Sequence, residues 1–149
     1  MTQDTHGAKG EPWIGFDLDG TLAEYKDWEG IDHIGEPIKP MCDLIKKFNA
    51  ENKKVKIVTA RVAPLDGDNT REKARGYIKE WCKKNLGFVP KITHEKDALM
   101  VTLYDDRCQQ VIPNKGVCIE EAAKSLIQGE ENSLAKTLAA YLMDGGSGD

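Results

Sequence analysis

The stretch that decides the fold is residues 13–22, WIGFDLDGTL. An apolar run is followed by two carboxylates two positions apart, Asp17 and Asp19, and then directly by Gly20 and Thr21. This pattern predicts a buried strand that ends in two acids and turns sharply, because Gly20 can adopt backbone angles closed to other residues. Two nearby carboxylates repel each other, and a cation relieves that repulsion. With oxygen donors alone the expected ion is hard, and Mg²⁺ is the usual choice where a phosphate completes its ligand shell.

The composition is that of an ordinary globular protein. The chain has 149 residues, of which 40% are hydrophobic and 31% charged, with a formal net charge of −4. This negative net charge argues against a protein that coats nucleic acid without sequence preference. No apolar run is long enough to cross a bilayer, and the N-terminus has no hydrophobic signal core, so we expect a cytoplasmic protein without a membrane partner. The four cysteines form no C-x-x-C pair, which disfavours zinc.

Short apolar runs that predict strands alternate along the chain with patterns of helical spacing. The predicted strands are 13–16, 55–58, 88–93, 99–104 and, as a fifth, 115–119. The predicted helices are 40–52, 71–86, 120–127 and 133–143. Pro90 implies an edge position for the third strand. Thr70 and Gly87 are candidate N- and C-terminal caps of the second helix.

This alternation predicts an α/β fold, a Rossmann-like parallel sheet of about five strands with helices on both faces. We expect one domain over residues 13–143, between a flexible N-terminal segment, 1–12, and a flexible tail, 144–149. In such sheets ligands bind outside the carboxyl ends of the strands. Polar residues fall at those ends or in the connectors after them; they are Asp17, Asp19, Thr59, Lys96, Asp105 and Asp106.

The ordered set of these residues resembles the four motifs of the haloacid dehalogenase-like (HAD) superfamily. Residues 17–22, DLDGTL, match its D-x-D-G-T-[LV] run. Thr59 at the end of a strand matches the second motif, and Lys96, with Lys91 as runner-up, matches the third. The pair of acids after Tyr104 matches the fourth. The resemblance implies that Thr59 and Lys96 bind phosphoryl oxygens.

The resemblance also implies a Mg²⁺-dependent phosphatase. Asp17 would attack phosphorus and give an aspartyl-phosphate, and Asp19 would act as general acid and then general base. The metal would take a side-chain oxygen of Asp17, the backbone carbonyl of Asp19 and a carboxylate from the Asp105–Asp106 pair. Asp106 is favoured as the direct ligand with Asp105 in support, but the sequence leaves this choice open.

Neither insertion point, 23–39 or 62–70, has room for a sizeable cap domain. Capless members have open sites that often accept bulky substrates or gain closure from another subunit, so a homo-oligomer is one expectation. A finer resemblance, over residues 13–108, is to the phosphatase domain of phage-type polynucleotide kinase/phosphatases. It would make Arg61 an extra phosphate clamp, although an ion-pair role stays open. The kinase half is missing, since no G-x-x-x-x-G-K-[ST] run occurs.

The substrate is therefore expected to be a nucleotide or a nucleic-acid terminal phosphate. A phosphorylated small metabolite is the alternative within the enzyme class, and a catalytically idle phosphate-binding module is the alternative outside it. Two aromatic residues after the first motif, Tyr25 and Trp28, could stack on a base or sugar, or pack the loop down, with packing slightly favoured.

Overall fold

The computed structural model describes residues 7–65, 67 and 69–145. Parts of the predicted flexible ends, 1–6 and 146–149, and two residues of the second insertion point, Asp66 and Asp68, lie outside these ranges. By backbone contacts the chain divides into two compact units, one ending at Asp106 and one beginning at Arg107. The predicted domain bounds of 13–143 stay a prediction.

The first unit alternates strands and helices, as the sequence predicted. Its elements are β1 (Trp13–Phe16), α1 (Lys39–Ala50), β2 (Lys54–Val58), a single 3₁₀ turn (Ala60–Val62), α2 (Arg71–Asn85), β3 (Lys91–Thr93) and β4 (Met100–Tyr104). Pro40 stands at the start of α1, where its missing N–H costs nothing. Gly87 follows α2 in a left-handed conformation, φ +82°, and its N–H bonds the Cys82 carbonyl, as predicted for a C-terminal cap.

The four strands form one parallel sheet in the order β3-β2-β1-β4. This confirms the predicted α/β fold with a parallel sheet and places β3 at the edge, as Pro90 indicated. The central strand β1 pairs with β2 on one side and β4 on the other. The carboxyl ends of all four strands therefore lie along the same edge of the sheet, which is where the sequence predicted the site.

The prediction of about five strands was one too high. Residues 115–119 form no strand: Val111 and Cys118 make a single antiparallel bridge, and a helix begins at Ile119. The reason is local, because Asn114 and Gly116 have φ of +63° and +66°, which turns the chain instead of extending it. The third strand is also shorter than predicted and begins at Lys91.

The hydrophobic core of the first unit lies between the sheet and its two helices. Phe16 of β1 and Ile57 of β2 are fully buried and pack in one cluster with Ile45 of α1 and Ile78 of α2. Burial of such side chains stabilises a fold by about 1.5–3 kcal/mol each. This packing fixes the ends of β1 and β2, and hence the polar residues that follow them.

Residues 24–38, here called the rim loop, leave the end of β1 and return to it. The Glu24 N–H bonds the Glu36 carbonyl at 2.8 Å, and the Ile38 N–H bonds the Leu22 carbonyl at 2.8 Å. Gly35 lies so close to the backbone of Glu24 that a Cβ there would collide with it. The rim loop is short and contains no helix or strand, so the predicted absence of a sizeable cap domain is confirmed.

The second unit contains α3 (Ile119–Ile127) and α4 (Ser133–Met143). Its small core is built from Ile112, Ala122 and Leu138. The Asn132 side chain caps α4 by accepting a hydrogen bond from the Ala135 N–H at 2.9 Å. Among the residues that the structure describes, neither these helices nor α1 and α2 are long and apolar enough to span a membrane.

Candidate functional site

Parallel pairing of β1 and β4 brings the first and last acidic motifs together. Phe16 lies opposite Tyr104, and the Asp17 N–H continues the ladder to the Tyr104 carbonyl at 2.8 Å. Asp105 and Asp106 come directly after Tyr104, so they follow β4 at the same edge at which Asp17 follows β1. Acidic motifs that are nearly ninety residues apart in the sequence thus become neighbours at the ends of these two strands.

Asp17, Asp105 and Asp106 form an acidic triad. Each offers one carboxylate oxygen, and the three atoms lie within 4.8 Å of one another. Three carboxylates at this spacing provide the oxygen donors that a hard divalent cation prefers. The triad could therefore hold a metal ion, as the sequence predicted for these three residues. The chemistry of the donors fits Mg²⁺, although it does not by itself identify the ion.

Burial, together with the neighbouring acids, raises the pKa of Asp17 to about 7 from its ordinary value of 3.8. Burial is the largest cause, followed by the hydrogen bond with Asp106 and the negative charge of Asp105. Without a cation, the triad therefore favours a proton on Asp17. A bound divalent ion would remove the need for that proton and leave Asp17 as the carboxylate that a nucleophile requires.

The two residues after the D-x-D run hold Asp106. The Thr21 hydroxyl donates to Asp106 Oδ1 at 3.2 Å and accepts from the Asp106 N–H at 3.1 Å. Gly20 has a φ of +86°, and a Cβ at this position would collide with the Asp106 carboxylate. Sequence reasoning predicted the sharp turn at Gly20 but predicted no contact of Gly20 or Thr21 with Asp106. Their position directly after the two acids is the feature of the sequence that could have indicated this contact.

Asp19 faces Arg61, and its carboxylate is not part of the triad. Arg61 Nε lies 2.7 Å from Asp19 Oδ2, and Nη2 lies 2.8 Å from Oδ1. This is a bidentate pair of the geometry that arginine and carboxylates favour. Only 5% of the Arg61 side chain is exposed, so the pair is largely screened from water. The predicted contact of the Asp19 backbone carbonyl with the metal stays a prediction.

Arg61 also fastens the rim loop to the site. Its Nη2 donates to the His33 carbonyl at 2.8 Å, and its Nη1 lies 3.4 Å from the carbonyls of Gly30 and Ile31. All three guanidinium nitrogens are therefore engaged within the protein. A phosphate contact by Arg61, as the finer resemblance implied, would require it to give up some of these bonds. That role stays a prediction, and the ion-pair role that the sequence left open is observed.

Thr59 lies at the end of β2, two residues beyond the pairing of Ile57 with Phe16. Its N–H bonds the Thr93 carbonyl at 2.8 Å, and its hydroxyl oxygen accepts the Arg61 N–H at 3.2 Å. The hydroxyl proton is left to donate to a ligand. This placement is suited to the predicted contact with a phosphoryl oxygen, which no ligand here tests.

Lys96 lies in the exposed connector after β3, at the edge of the sheet. Over the described ranges, no hydrogen bond or ion pair joins its side chain to the acids, to Thr59 or to Arg61. In this part of the chain Lys96 is therefore not bonded to the other candidate residues, and its role stays a prediction. The runner-up, Lys91, is the first residue of β3. It therefore lies at the amino-terminal ends of the strands, away from the carboxyl ends that the acids follow.

Trp28 of the rim loop contacts the arginine of this site. The Arg61 guanidinium lies 4.8 Å from the centroid of its ring, a distance typical of a cation–π contact. The residue nevertheless remains 55% exposed, and Tyr25 is 36% exposed. Sequence reasoning slightly favoured packing for both residues, but Trp28 packs against Arg61 and is otherwise largely open to solvent.

Comparison with known proteins adds little. No protein family model matches the chain, and no curated protein is similar to it at a significant level. One solved structure, described as that of a conserved protein coded by a locus from Bacteroides thetaiotaomicron, covers 83% of this chain and 94% of its own. It is 17% identical, with a TM-score of 0.44, values too low to establish a shared fold or activity. The chain itself shows a parallel α/β fold with an acidic triad that is consistent with an HAD-like site.

Proposed function

We propose that this protein is a metal-dependent phosphatase of the HAD type, acting on a phosphomonoester through an aspartyl-phosphate on Asp17. The observation that carries the proposal is the acidic triad at the ends of β1 and β4, built around the first acid of a D-x-D-G-T-L run. The second acid, Asp19, stands apart from the triad, as an acid/base group should. A metal site alone would not need it there.

Asp17 and Asp19 divide the chemistry between them. An Asp17 oxygen attacks phosphorus, the Asp17–phosphorus bond forms, and the bond from phosphorus to the leaving oxygen breaks. As Asp19 separates from Arg61 it takes up a proton from solvent, and it gives this proton to the leaving oxygen. Asp19 then takes a proton from the water whose oxygen attacks phosphorus, and the bond from phosphorus to Asp17 breaks. A Mg²⁺ ion held by Asp17, Asp106 and Asp105 would supply charge neutralisation between the carboxylates and the phosphate dianion.

The remaining candidate residues would bind the phosphoryl group. The Thr59 hydroxyl has a proton to donate, and Lys96 would bring a positive charge from the connector after β3. Asp19 accepts two hydrogen bonds from Arg61, so it must exchange at least one of them before it can reach a leaving oxygen. Arg61 thereby holds the acid/base carboxylate close to the phosphate position until the substrate is present.

We propose a nucleotide or a nucleic-acid terminal phosphate as the substrate, in line with the resemblance to phage-type polynucleotide kinase/phosphatases. A small metabolite phosphate is the alternative. The open site, without a cap domain, supports a substrate that is not fully enclosed. The substrate choice is the part of the proposal that the experiment below decides.

The test is phosphate release from a panel of nucleotides, phosphorylated oligonucleotide ends and sugar phosphates, with Mg²⁺ and with EDTA. We expect release that requires the metal and falls by at least roughly a thousandfold in Asp17→Asn, because the amide is no nucleophile. Glu131→Gln, which removes an exposed carboxylate of the second unit, is the control for the loss of one negative charge and should behave as the wild type.

Two results would contradict the proposal. Undiminished release by Asp17→Asn would show that Asp17 is not the nucleophile. No release from any compound, in a folded protein whose triad binds Mg²⁺ by calorimetry, would favour the phosphate-binding module over the enzyme.

A further inference from the structure

Trp28 is unusual among the tryptophans of this chain. Trp13 and Trp81 are 1% and 8% exposed, whereas Trp28 is 55% exposed. An indole ring carries a large apolar surface that is normally withdrawn from water. The Arg61 guanidinium covers one face of the ring at 4.8 Å from its centroid, so the exposed area falls on the other face and the edge. The ring is thus an open aromatic surface at the site.

The ring is also fixed in place. Its stacking partner Arg61 is 5% exposed and is bound to Asp19 and to three carbonyl oxygens of the rim loop. A cation held on all sides gives the indole a rigid support, and a pre-organised surface binds a ligand with a smaller entropic cost than a mobile one. Packing of the loop alone would not require the second face to stay open.

The ring lies within reach of a group attached to the reacting phosphate. Arg61 contacts both Trp28 and Asp19. Its Cζ lies 4.8 Å from the centroid of the Trp28 ring, and its Nε lies 2.7 Å from Asp19 Oδ2. With one C–N bond between those two atoms, the centroid is at most about 9 Å from the acid/base carboxylate. A sugar between a phosphate and a planar ring spans a comparable distance.

The charge around Trp28 limits the size of the ligand. Residues 24–32 contain four acids, Glu24, Asp27, Glu29 and Asp32, and one base, Lys26, which gives a net charge of 1 − 4 = −3. A protein that binds a polynucleotide needs basic side chains next to the phosphates, because each such contact releases a counterion and favours binding. An acidic rim instead repels additional phosphates and tolerates an uncharged ring.

We propose that Trp28 is a stacking surface for a planar ring in the leaving group, and that the substrate is a monomeric, ring-bearing phosphomonoester of the nucleoside monophosphate class. This inference rests on the proposed phosphatase function and narrows its substrate. It assigns Trp28 to the selection of the leaving group, while the acids act on the phosphate. In proteins that bind bases in this way, loss of one stacking side chain weakens binding by roughly tenfold.

The kinetic test compares adenosine monophosphate with ribose 5-phosphate, which lacks the ring, in wild type, Trp28→Ala and Trp28→Phe. We expect Trp28→Ala to lower the ratio of the two kcat/KM values roughly tenfold, mainly through KM for the nucleotide. Trp28→Phe keeps an aromatic face and should retain most of the ratio. A phosphorylated oligonucleotide should be a poorer substrate than the mononucleotide.

The binding test uses Asp17→Asn, which should bind without turnover, and follows tryptophan fluorescence. Because Trp13 and Trp81 are buried, quenching by added adenosine monophosphate would report mainly on Trp28. We expect quenching by the nucleotide and little by ribose 5-phosphate. Quenching in Asp17→Asn, together with a wild type that hydrolyses no compound of the panel, would contradict the phosphatase proposal and support the stacking site by itself.

Three outcomes would overturn the inference while leaving the phosphatase intact. The first is an equal loss of both activities in Trp28→Ala, which would mean that the indole only supports Arg61. The second is no loss of either activity in Trp28→Ala, which would mean that the indole contacts neither substrate. The third is a phosphorylated oligonucleotide that is preferred over the mononucleotide, which would contradict the monomeric class.

Discussion

Replacing Asp17 by asparagine should stabilise the metal-free protein at neutral pH, although it removes the nucleophile. The triad raises the pKa of Asp17 from 3.8 to about 7, so the folded chain holds a proton that the unfolded chain has released. The amide of Asp17→Asn is always neutral and can donate an N–H to Asp106 in place of that proton. The variant therefore removes the repulsion without removing the contact.

The sign and size follow from linkage. Between pH 3.8 and about 7 the folded state binds more protons at Asp17 than the unfolded state, so the free energy of unfolding falls as the pH rises through this window. The difference in pKa corresponds to at most about 4 kcal/mol. Because Asp17 is only partly buried, solvent screens the interaction, and we expect roughly 1–2 kcal/mol.

The assay is urea unfolding followed by circular dichroism in EDTA, at pH values from 4 to 8. Wild type should lose roughly 1–2 kcal/mol of stability relative to Asp17→Asn over this range, and the variant should be the more stable protein at pH 7.5. Asp27→Asn, at an exposed carboxylate of the rim loop, controls for the loss of one negative charge. Parallel pH profiles of wild type and Asp17→Asn would refute the reasoning, since they would mean that folding does not raise the pKa of Asp17.

The other predictions concern the metal, the arginine and two glycines. Thermal unfolding of wild type should shift upward with added Mg²⁺, by about 2.7 kcal/mol at a hundred times Kd, and Asp106→Asn should lose most of this shift; an equal shift in both proteins would place the metal elsewhere. Arg61→Lys keeps the charge but not the bidentate fork, so kcat measured by phosphate release should fall more than KM changes, and wild-type kcat would contradict a positioning role. Gly20→Ala forces a Cβ onto Asp106 at a φ of +86° and should cost at least about 1 kcal/mol in urea unfolding and weaken Mg²⁺ binding by calorimetry. Gly76→Ala, an exposed position in the middle of α2 with no atom within 4 Å of the added Cβ, should instead stabilise by about 0.5–1 kcal/mol; the opposite order of the two alanine variants would contradict the close approach at Gly20.

The parts of the site that the sequence predicted are those governed by local pattern and by one general rule. The apolar run before Asp17 and the run before Asp105 each read as strands, and parallel strands align their carboxyl ends. That rule alone was enough to bring the two acidic motifs together. It gave no information on Lys96, because a connector three residues beyond an edge strand has no ladder to fix its side chain.

The sequence by itself determined the parallel α/β fold, the sharp turn at Gly20 and the convergence of Asp17, Asp105 and Asp106. These follow from hydrophobic periodicity, backbone freedom and strand order, which are properties of short segments. Only the tertiary structure decided that Arg61 pairs with Asp19 and that Trp28 stays open beside it. Those contacts join residues more than thirty positions apart, and one side of each contact involves a loop without regular structure. Such a loop has no repeating pattern from which side-chain neighbours can be predicted, so packing in three dimensions determines the partners.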